Sequence, residues 1–283
     1  MTTRPAEARS STGPAQLPPI LRWVGGKRWL VPALRDLVAG QAQLTGYYEP
    51  FLGGAAAFLG LGPTGPGTLS DLNAELIETY RAVRDNPEAV AAELSKHRNT
   101  ESYYYELRAR RPRNRTQRAA RFIYLNHTSF NGIFRVNLKG AYNVPFGNRP
   151  NPQIPDNDLL SKISKRLKGF DLVAQDFAET ISNVRENDLV FLDPPYTVAH
   201  NNNGFVKYND KLFSFQDQVR LSKSIDLIRS IGAYYILTNA AHESIIELFD
   251  KGDQRMVIHR RNVIGGSKAK RGRAAEYLFT NLP

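Results

Sequence analysis

The chain has 283 residues, 41% hydrophobic and 23% charged, the composition of a globular protein with a full core. It holds no cysteine, which excludes disulfides, thiolate metal sites and a cysteine nucleophile. No apolar run approaches the roughly 20 residues that span a bilayer, and a net charge of +11 with a pI of about 9.8 favours a polyanionic partner, nucleic acid first.

Residues 1–20 are rich in Pro, Ser, Thr and Ala and lack the apolar stretch of a secretory signal, so a disordered tail is expected there. LRWVGGKRWL (21–30) sets Gly25 and Gly26 before Lys27. Arg28 follows where a phosphate-binding loop needs Ser or Thr, so that reading is rejected. Trp23 offers a face that could cover an adenine or attract a sulfonium by about 0.5–2 kcal/mol. A core tryptophan is the plainer alternative, and the residues leave both open.

GYYEPFLG (46–53) reads as a strand ending in a glycine turn, and AAAFLGLG (55–62) as a short helix. GTLSDLN (67–73) reads as a second strand with an acidic end, and AELIETYRAV (74–83) as a helix. Gly53 and Gly54 allow close backbone approach to a ligand. Asp71, one strand on, suits the two hydroxyls of a ribose. It equally suits the N-cap of the helix that follows.

From 85 to 155 the alternation stops. NPEAVAAELSKH (86–97) opens with a helix signal, TQRAARFIYLNHTSF (116–130) is a helix running into a loop, and 131–155 reads as an ordered loop or hairpin region. Twelve Lys and Arg against five Asp and Glu give this segment +7 of the +11. Arg, Lys, Asn and aromatic residues interleave over 125–149. Arginine can read guanine, asparagine adenine, and lysine can hold phosphate. Phe130, Ile133 and Phe134 are candidates to wedge into a base step. The alternative is a solvated basic loop with its apolar residues tucked beneath.

Alternation resumes with strands FDLVAQD (170–176) and NDLVFLDPPY (187–196) and the helix SFQDQVRLSKSIDLIRSIGA (214–233). Strands YYILTNA (234–240), QRMVIHRRN (254–262) and AEYLFTN (275–281) complete the chain. The pattern predicts an α/β sheet covered by helices, with the middle segment inserted at the ligand-binding edge.

LVFL is continuously apolar, as a central parallel strand requires, and the two prolines of DPPY end it. Asp193, Pro194, Pro195 and Tyr196 then bring a carboxylate, two carbonyls and an aromatic ring to the sheet's edge. Asp193 and the Pro194 carbonyl can accept the two hydrogens of an exocyclic amine, and Tyr196 can stack on its base. An acidic strand end with a Pro-Pro turn is the bland reading of the same four residues.

The order of these motifs changes the reading. From Leu21 to the C-terminus the chain resembles the Dam-type, alpha-class DNA adenine-N6 methyltransferases. The resemblance rests on W-x-G-G-K at Trp23–Lys27, E-P-F-x-G at Glu49–Gly53 and D-x-N at Asp71–Asn73. It continues with F/Y-N-G-x-x-R at Phe130–Arg135, N-V-P-F-G at Asn143–Gly147, and DPPY. It implies a Rossmann-like α/β sheet of the S-adenosylmethionine-dependent kind, formed by 21–84 and 156–283. A mainly helical target-recognition insert, 85–155, would bind double-stranded DNA. Methyl transfer from S-adenosylmethionine to adenine N6, by base flipping and direct in-line attack, is the implied activity.

The resemblance also implies roles. Trp23, Lys27, Asp71 and Asp193 would line the cofactor pocket with backbone near Phe51 and Gly53, and Asp176 would lie near the cofactor's adenine. Asp193, Pro194, Pro195 and Tyr196 would hold the extruded base. Arg135 would read a guanine, with Phe130, Asn131 and Ile133 at the site and Asn137, Lys139 and Arg149 contacting DNA. The basic stretch within 262–281 would meet phosphates. No metal and no membrane are implied. A partner endonuclease, a monomer in solution and a place in the cytoplasm with the nucleoid are expected. Two departures stand out. Ala55 replaces a third small glycine, which could weaken cofactor binding, and Phe130 replaces a tyrosine. Methylation of cytosine N4 or RNA adenine is the competing enzyme reading. A silent DNA-binding protein is the competing non-enzyme reading, against which Asp71, Asp193 and Tyr196 argue.

Overall fold

The computed structural model describes residues 15–137, 139–196, 213–261 and 273–283. Seven strands form one sheet: β1 (Tyr47–Glu49), β2 (Gly67–Asp71), β3 (Asp171–Ala174), β4 (Leu189–Leu192), β5 (Tyr234–Ala240), β6 (Gln254–Arg261) and β7 (Arg273–Thr280). Their order is β3-β2-β1-β4-β5-β7-β6. The first five run parallel, and β7 pairs antiparallel with both β5 and β6. Successive residues along each strand point to opposite faces, and here both faces are covered. Tyr47, Leu189, Phe191, Ile236 and Leu278 enter one core, while their neighbours Tyr48, Val190, Leu192, Tyr235, Leu237 and Phe279 enter the other. Burial on both sides explains why LVFL is apolar without alternation.

The first core is covered by α1 (Val31–Val38), α2 (Ala56–Leu61), α3 (Ala74–Asp85) and α7 (Asn157–Leu167), and by α4 (Pro87–Leu94), α5 (Glu101–Ala109) and α6 (Arg115–Thr128) from the middle of the chain. The second is covered by α8 (Phe177–Ile181), α9 (Phe215–Ser230) and α10 (Glu243–Phe249). Side-chain caps begin these helices where the chain turns from extended to helical. Asn73, Asn86, Thr100, Asn114 and Asp156 each accept a backbone N–H of the first turn, and Ser214 forms a reciprocal capping box with Asp217.

The sequence leaves α1, α5, α7, α8 and α10 unassigned. Residues within the stretch expected as a disordered tail pack on the fold. The Leu17 N–H donates to the Leu59 carbonyl at 3.1 Å and Ile20 is fully buried, because both supply apolar area beside α2. Residues 1–14 lie outside the described residues. The middle segment does not build a core of its own. Val90, Tyr104, Leu107, Phe122 and Ile123 join the core beneath α3.

The +7 of that segment is also partly spent within the fold. Arg121 is buried, donating to the Leu107 and Arg108 carbonyls at 3.0 and 2.7 Å, with Glu75 at 3.4 Å. Arg115 pairs with Asp85 at 2.8 Å, Lys96 with Glu93 at 2.6 Å, and Arg110 with Glu106.

After α6 the chain makes a short 3-10 turn at Phe130–Gly132 and returns as a hairpin. Isolated bridges Ser129–Phe146 and Val136–Tyr142 define it. The Phe130 N–H donates to the Pro145 carbonyl at 2.9 Å and the Gly147 N–H to the Thr128 carbonyl at 2.8 Å. This crossing requires glycine at 147, since a Cβ there would lie 2.5 Å from the Ser129 carbonyl oxygen. Gly147→Ala should therefore cost about 1–3 kcal/mol, read as a lowered midpoint in urea. An unchanged midpoint would show that the crossing relaxes freely.

Candidate active site

The strand order reverses direction between β1 and β4, and an open α/β sheet binds ligands outside the carboxyl ends at such a point. Three carboxylates gather there. Glu49 ends β1, Asp71 ends β2, and Asp193 follows β4. The sheet brings them together because β2, β1 and β4 are adjacent and parallel.

The turn after β1 is held from both sides. The Gly53 N–H donates to Asp71 Oδ2 at 3.0 Å, and the Gly53 carbonyl accepts from the Tyr80 hydroxyl at 3.2 Å. Gly53 has φ +45°, and a Cβ on it would lie 2.7 Å from the Trp23 ring. Asp71 Oδ1 accepts from the Asn73 N–H at 2.9 Å. Asn73, not Asp71, caps α3, so the N-cap reading of Asp71 is set aside. Burial raises its pKa against those two hydrogen bonds. Leu72 beside it is 67% exposed at the same edge.

Ala55 has φ +55° and no exposed surface, and its methyl lies in the apolar core rather than toward the carboxylates. The chain thus keeps a glycine-like backbone at this position and adds a methyl to the core.

Lys27 lies in the middle of the site, 3% exposed. Its Nζ is 2.7 Å from Asp193 Oδ1 and 3.7 Å from Glu276 Oε2. It donates to the Gly25 carbonyl at 2.9 Å and stands 4.8 Å from the centre of the Tyr196 ring. Asp193 Oδ1 also accepts from the Thr238 hydroxyl at 2.7 Å. Among the described residues no hydrogen bond reaches Asp193 Oδ2. The Tyr196 hydroxyl donates to Glu276 Oε2 at 2.8 Å. Burial, then the charges of Asp193 and Glu276, push the Tyr196 phenol well above its usual range, so it stays a donor.

Asp176 caps α8 by accepting from the Ala178 N–H at 2.9 Å and pairs with Arg220 at 2.6 Å. The Arg220 guanidinium lies 4.8 Å over the Phe177 ring. Phe51 stacks on Phe177 at 5.4 Å and meets Phe213 edge-on at 5.6 Å. Asp176 and Phe51 therefore share one end of the edge, beyond β2, while Lys27 and Asp193 hold the other.

Trp23 connects this edge to the hairpin. It stacks on Phe134 at 5.7 Å, and Phe134 also packs on Phe122 and Tyr142. Phe134 is thereby part of an aromatic cluster rather than a free wedge. Ile133 is half-buried against the core, whereas Phe130 is 52% exposed. Asn131 beside it is exposed with φ +55°. Arg135 is exposed, and its Nε donates to Asn143 Oδ1 at 2.8 Å. Asn137 closes the hairpin tip by accepting from the Lys139 and Ala141 N–H groups at 2.9 and 3.0 Å. Lys139 is exposed there, while Arg149 is half-buried at the far end, its carbonyl accepting from Asn99 at 2.7 Å. The basic stretch expected to meet phosphates lies mostly outside the described residues.

Sequence reasoning gives Glu49, Thr238, Glu276 and Asn143 no individual role. Glu276 carries the readable signal, the one acid of its strand, set between Ala275 and Tyr277. Among the described residues no cluster of acidic and histidine side chains could hold a metal ion, and no helix is long and apolar enough to cross a membrane.

A profile described as D12 class N6 adenine-specific DNA methyltransferase matches residues 23–264. The chain is 34% identical over 276 residues to Type II methyltransferase M1.LlaDCHI of Lactococcus lactis subsp. cremoris, covering 94% of this chain and 95% of that one. It is 29% identical over 279 residues to Type II methyltransferase M.MjaIII of Methanocaldococcus jannaschii, covering 91% and 96%. It is 28% identical over 261 residues to a DNA adenine methylase of Escherichia coli (strain K12), covering 88% and 91%.

Glu49 accepts from the Tyr47 hydroxyl at 2.6 Å and the Phe58 N–H at 3.1 Å, and it is 2% exposed. Burial outweighs these bonds and lifts its carboxyl from 4.5 to about 8. The folded chain therefore keeps a proton that the unfolded chain releases. This stabilising contribution is complete below pH 4.5 and is lost as pH rises to about 8. Glu49→Gln should remove that slope. Urea unfolding of both proteins across this range measures it, and equal slopes would refute the assignment.

Proposed function

The chain belongs to the D12 class of N6 adenine-specific DNA methyltransferases, and from that premise we propose that S-adenosylmethionine is its methyl donor and an extruded adenine of double-stranded DNA its acceptor. One observation carries the reading. Asp71 at the end of β2 and Asp193 just past β4 flank β1 and its Gly53 turn at the sheet's reversal point, and DPPY ends β4.

The residues fit this cofactor. The Asp71 carboxylate faces the turn where a ribose would sit, and Gly53 lets the Trp23 ring close on that turn. Asp176 and Phe51 supply an acceptor and a ring for its adenine. Asp193 and Glu276 supply the negative charge that a cationic sulfur needs beside the Lys27 ammonium. When bound, S-adenosylmethionine supplies an electrophilic methyl carbon on a cationic sulfur, for direct in-line transfer.

The protein then has to present the amine. Lys27 and Thr238 hold Asp193 through Oδ1. Oδ2 and the Pro194 carbonyl accept the two N6 hydrogens, which turns the nitrogen lone pair toward the methyl carbon. Pro195 fixes the turn, and Tyr196 stacks on the base. Positive charge developing on N6 as the N–C bond forms and the C–S bond breaks would be offset by Asp193, and the surplus N6 proton would then leave to solvent. Extruding the base costs a few kcal/mol, and the exposed Phe130, with Asn131 and Ile133, occupies the gap left in the stack. Arg135, aimed by Asn143, reads a guanine. Asn137, Lys139 and Arg149 hold the backbone, so that residues 85–155 act as the recognition insert. No step needs a metal. The protein works as a monomer on DNA in the cytoplasm, and the type II names of two relatives support a cognate endonuclease as its companion.

Asp193→Ala should retain DNA affinity while methyl transfer falls by at least about a hundredfold. Labelled methyl incorporation, with nucleoside digestion identifying N6-methyladenine, reads this. Wild-type rates in the variant would end the mechanism. Arg135→Ala should relax preference at one base by about 1–3 kcal/mol. Sequencing methylated DNA from a host expressing each protein compares their profiles, and identical profiles would remove Arg135 from recognition.

A further inference from the structure

Glu276 is a buried carboxylate in the interior of the sheet. Its strand position lies between Ala240 of β5 and Ile258 of β6, and its side chain is 5% exposed. Burying a carboxylate is costly unless charge and hydrogen bonds answer it. Lys27 already has Asp193 at 2.7 Å and the Gly25 carbonyl at 2.9 Å. A structural ion pair would be complete with those partners, yet a second carboxylate stands 3.7 Å from the same ammonium and takes the Tyr196 hydroxyl at 2.8 Å.

Resting on the reading that S-adenosylmethionine binds here and that Asp193 takes the adenine amine, we propose that Glu276 is a positioning residue for methyl transfer. By drawing on the Lys27 ammonium, it keeps Lys27 from capturing both oxygens of Asp193, so Oδ2 remains available to the amine. It also supplies a counter-charge, so that Lys27 does not stand against the cationic sulfur as a repelling neighbour. Through the Tyr196 hydroxyl it fixes the ring on which the base stacks. It acts through Lys27, Asp193 and Tyr196, and need not touch the base.

The electrostatic part has a signature that loss of packing would not give. S-adenosylmethionine is a sulfonium, whereas its product S-adenosylhomocysteine is a neutral thioether of nearly the same shape. Removing one negative charge from beside Lys27 and Tyr196 would weaken the first and leave the second nearly unchanged. At an effective dielectric constant of about 20 the difference is roughly ten- to a hundredfold.

Calorimetric titration of the full chain with each ligand tests this on the wild type, Glu276→Gln, Glu276→Asp and Lys27→Met. Glu276→Gln should lose affinity for S-adenosylmethionine by roughly tenfold or more relative to S-adenosylhomocysteine. Glu276→Asp should keep most of the preference, and Lys27→Met should shift the ratio the opposite way. In turnover, Glu276→Gln should lower kcat more than it raises KM for DNA. Adding Lys27→Met to it should recover part of the loss. Equal losses for both ligands, or no loss for either, would overturn the proposal while leaving the cofactor reading intact. A wild type that binds neither ligand would overturn the cofactor reading itself. If Glu276→Gln does not fold, an unchanged ligand ratio in Lys27→Met overturns the role of Glu276 on its own.

Discussion

The structure turns on burying carboxylates side by side. Glu49, Asp71 and Asp193 stand at the ends of three neighbouring parallel strands, where like charges repel and desolvation is costly. Each is answered differently. Glu49 keeps its proton at neutral pH. Asp71 takes two backbone N–H groups. Asp193 takes an ammonium and a hydroxyl. Those answers fix the geometry of the edge: the Gly53 turn is pinned through Asp71, and the segment before α1 is pinned through Lys27.

The same segment ties the edge to the hairpin. Asn126 of α6 grips the Arg22 backbone from both sides, accepting from its N–H at 2.7 Å and donating to its carbonyl at 2.8 Å. Trp23 then lies between the Gly53 turn and Phe134. One short stretch of chain thus touches the glycine turn, the ion pair and the base of the recognition hairpin. A displacement of the hairpin would be felt at the carboxylates through two residues.

Much of this was legible in the sequence, for reasons tied to local chemistry. The apolar run of β4 and its proline stop, the acidic end of β2 and the alternation around them are local signals, and each lies where expected. What escaped was non-local or aperiodic. The three successive tyrosines of α5 hide its helical period. Helix α7, with Leu160, Ile163 and Leu167 all buried, shows its period plainly but sits against a proline-rich stretch that reads as loop. Glu276 meets Lys27 across almost the whole chain, a pairing that no window of sequence contains. The charge of the middle segment misleads for a related reason. Counting Lys and Arg cannot tell a guanidinium that faces solvent from Arg121, which is folded inward onto carbonyls.

Ala55 has a wider consequence. Its left-handed backbone would come at no steric cost to glycine, yet the chain holds it with alanine, at a strain of roughly 1–2 kcal/mol. Its methyl points into apolar packing and recovers part of that. What the third position of the glycine motif demands is therefore a torsion angle rather than empty space. A pattern that insists on glycine there would pass over chains such as this one, and asparagine, which tolerates the same torsion, meets the same requirement.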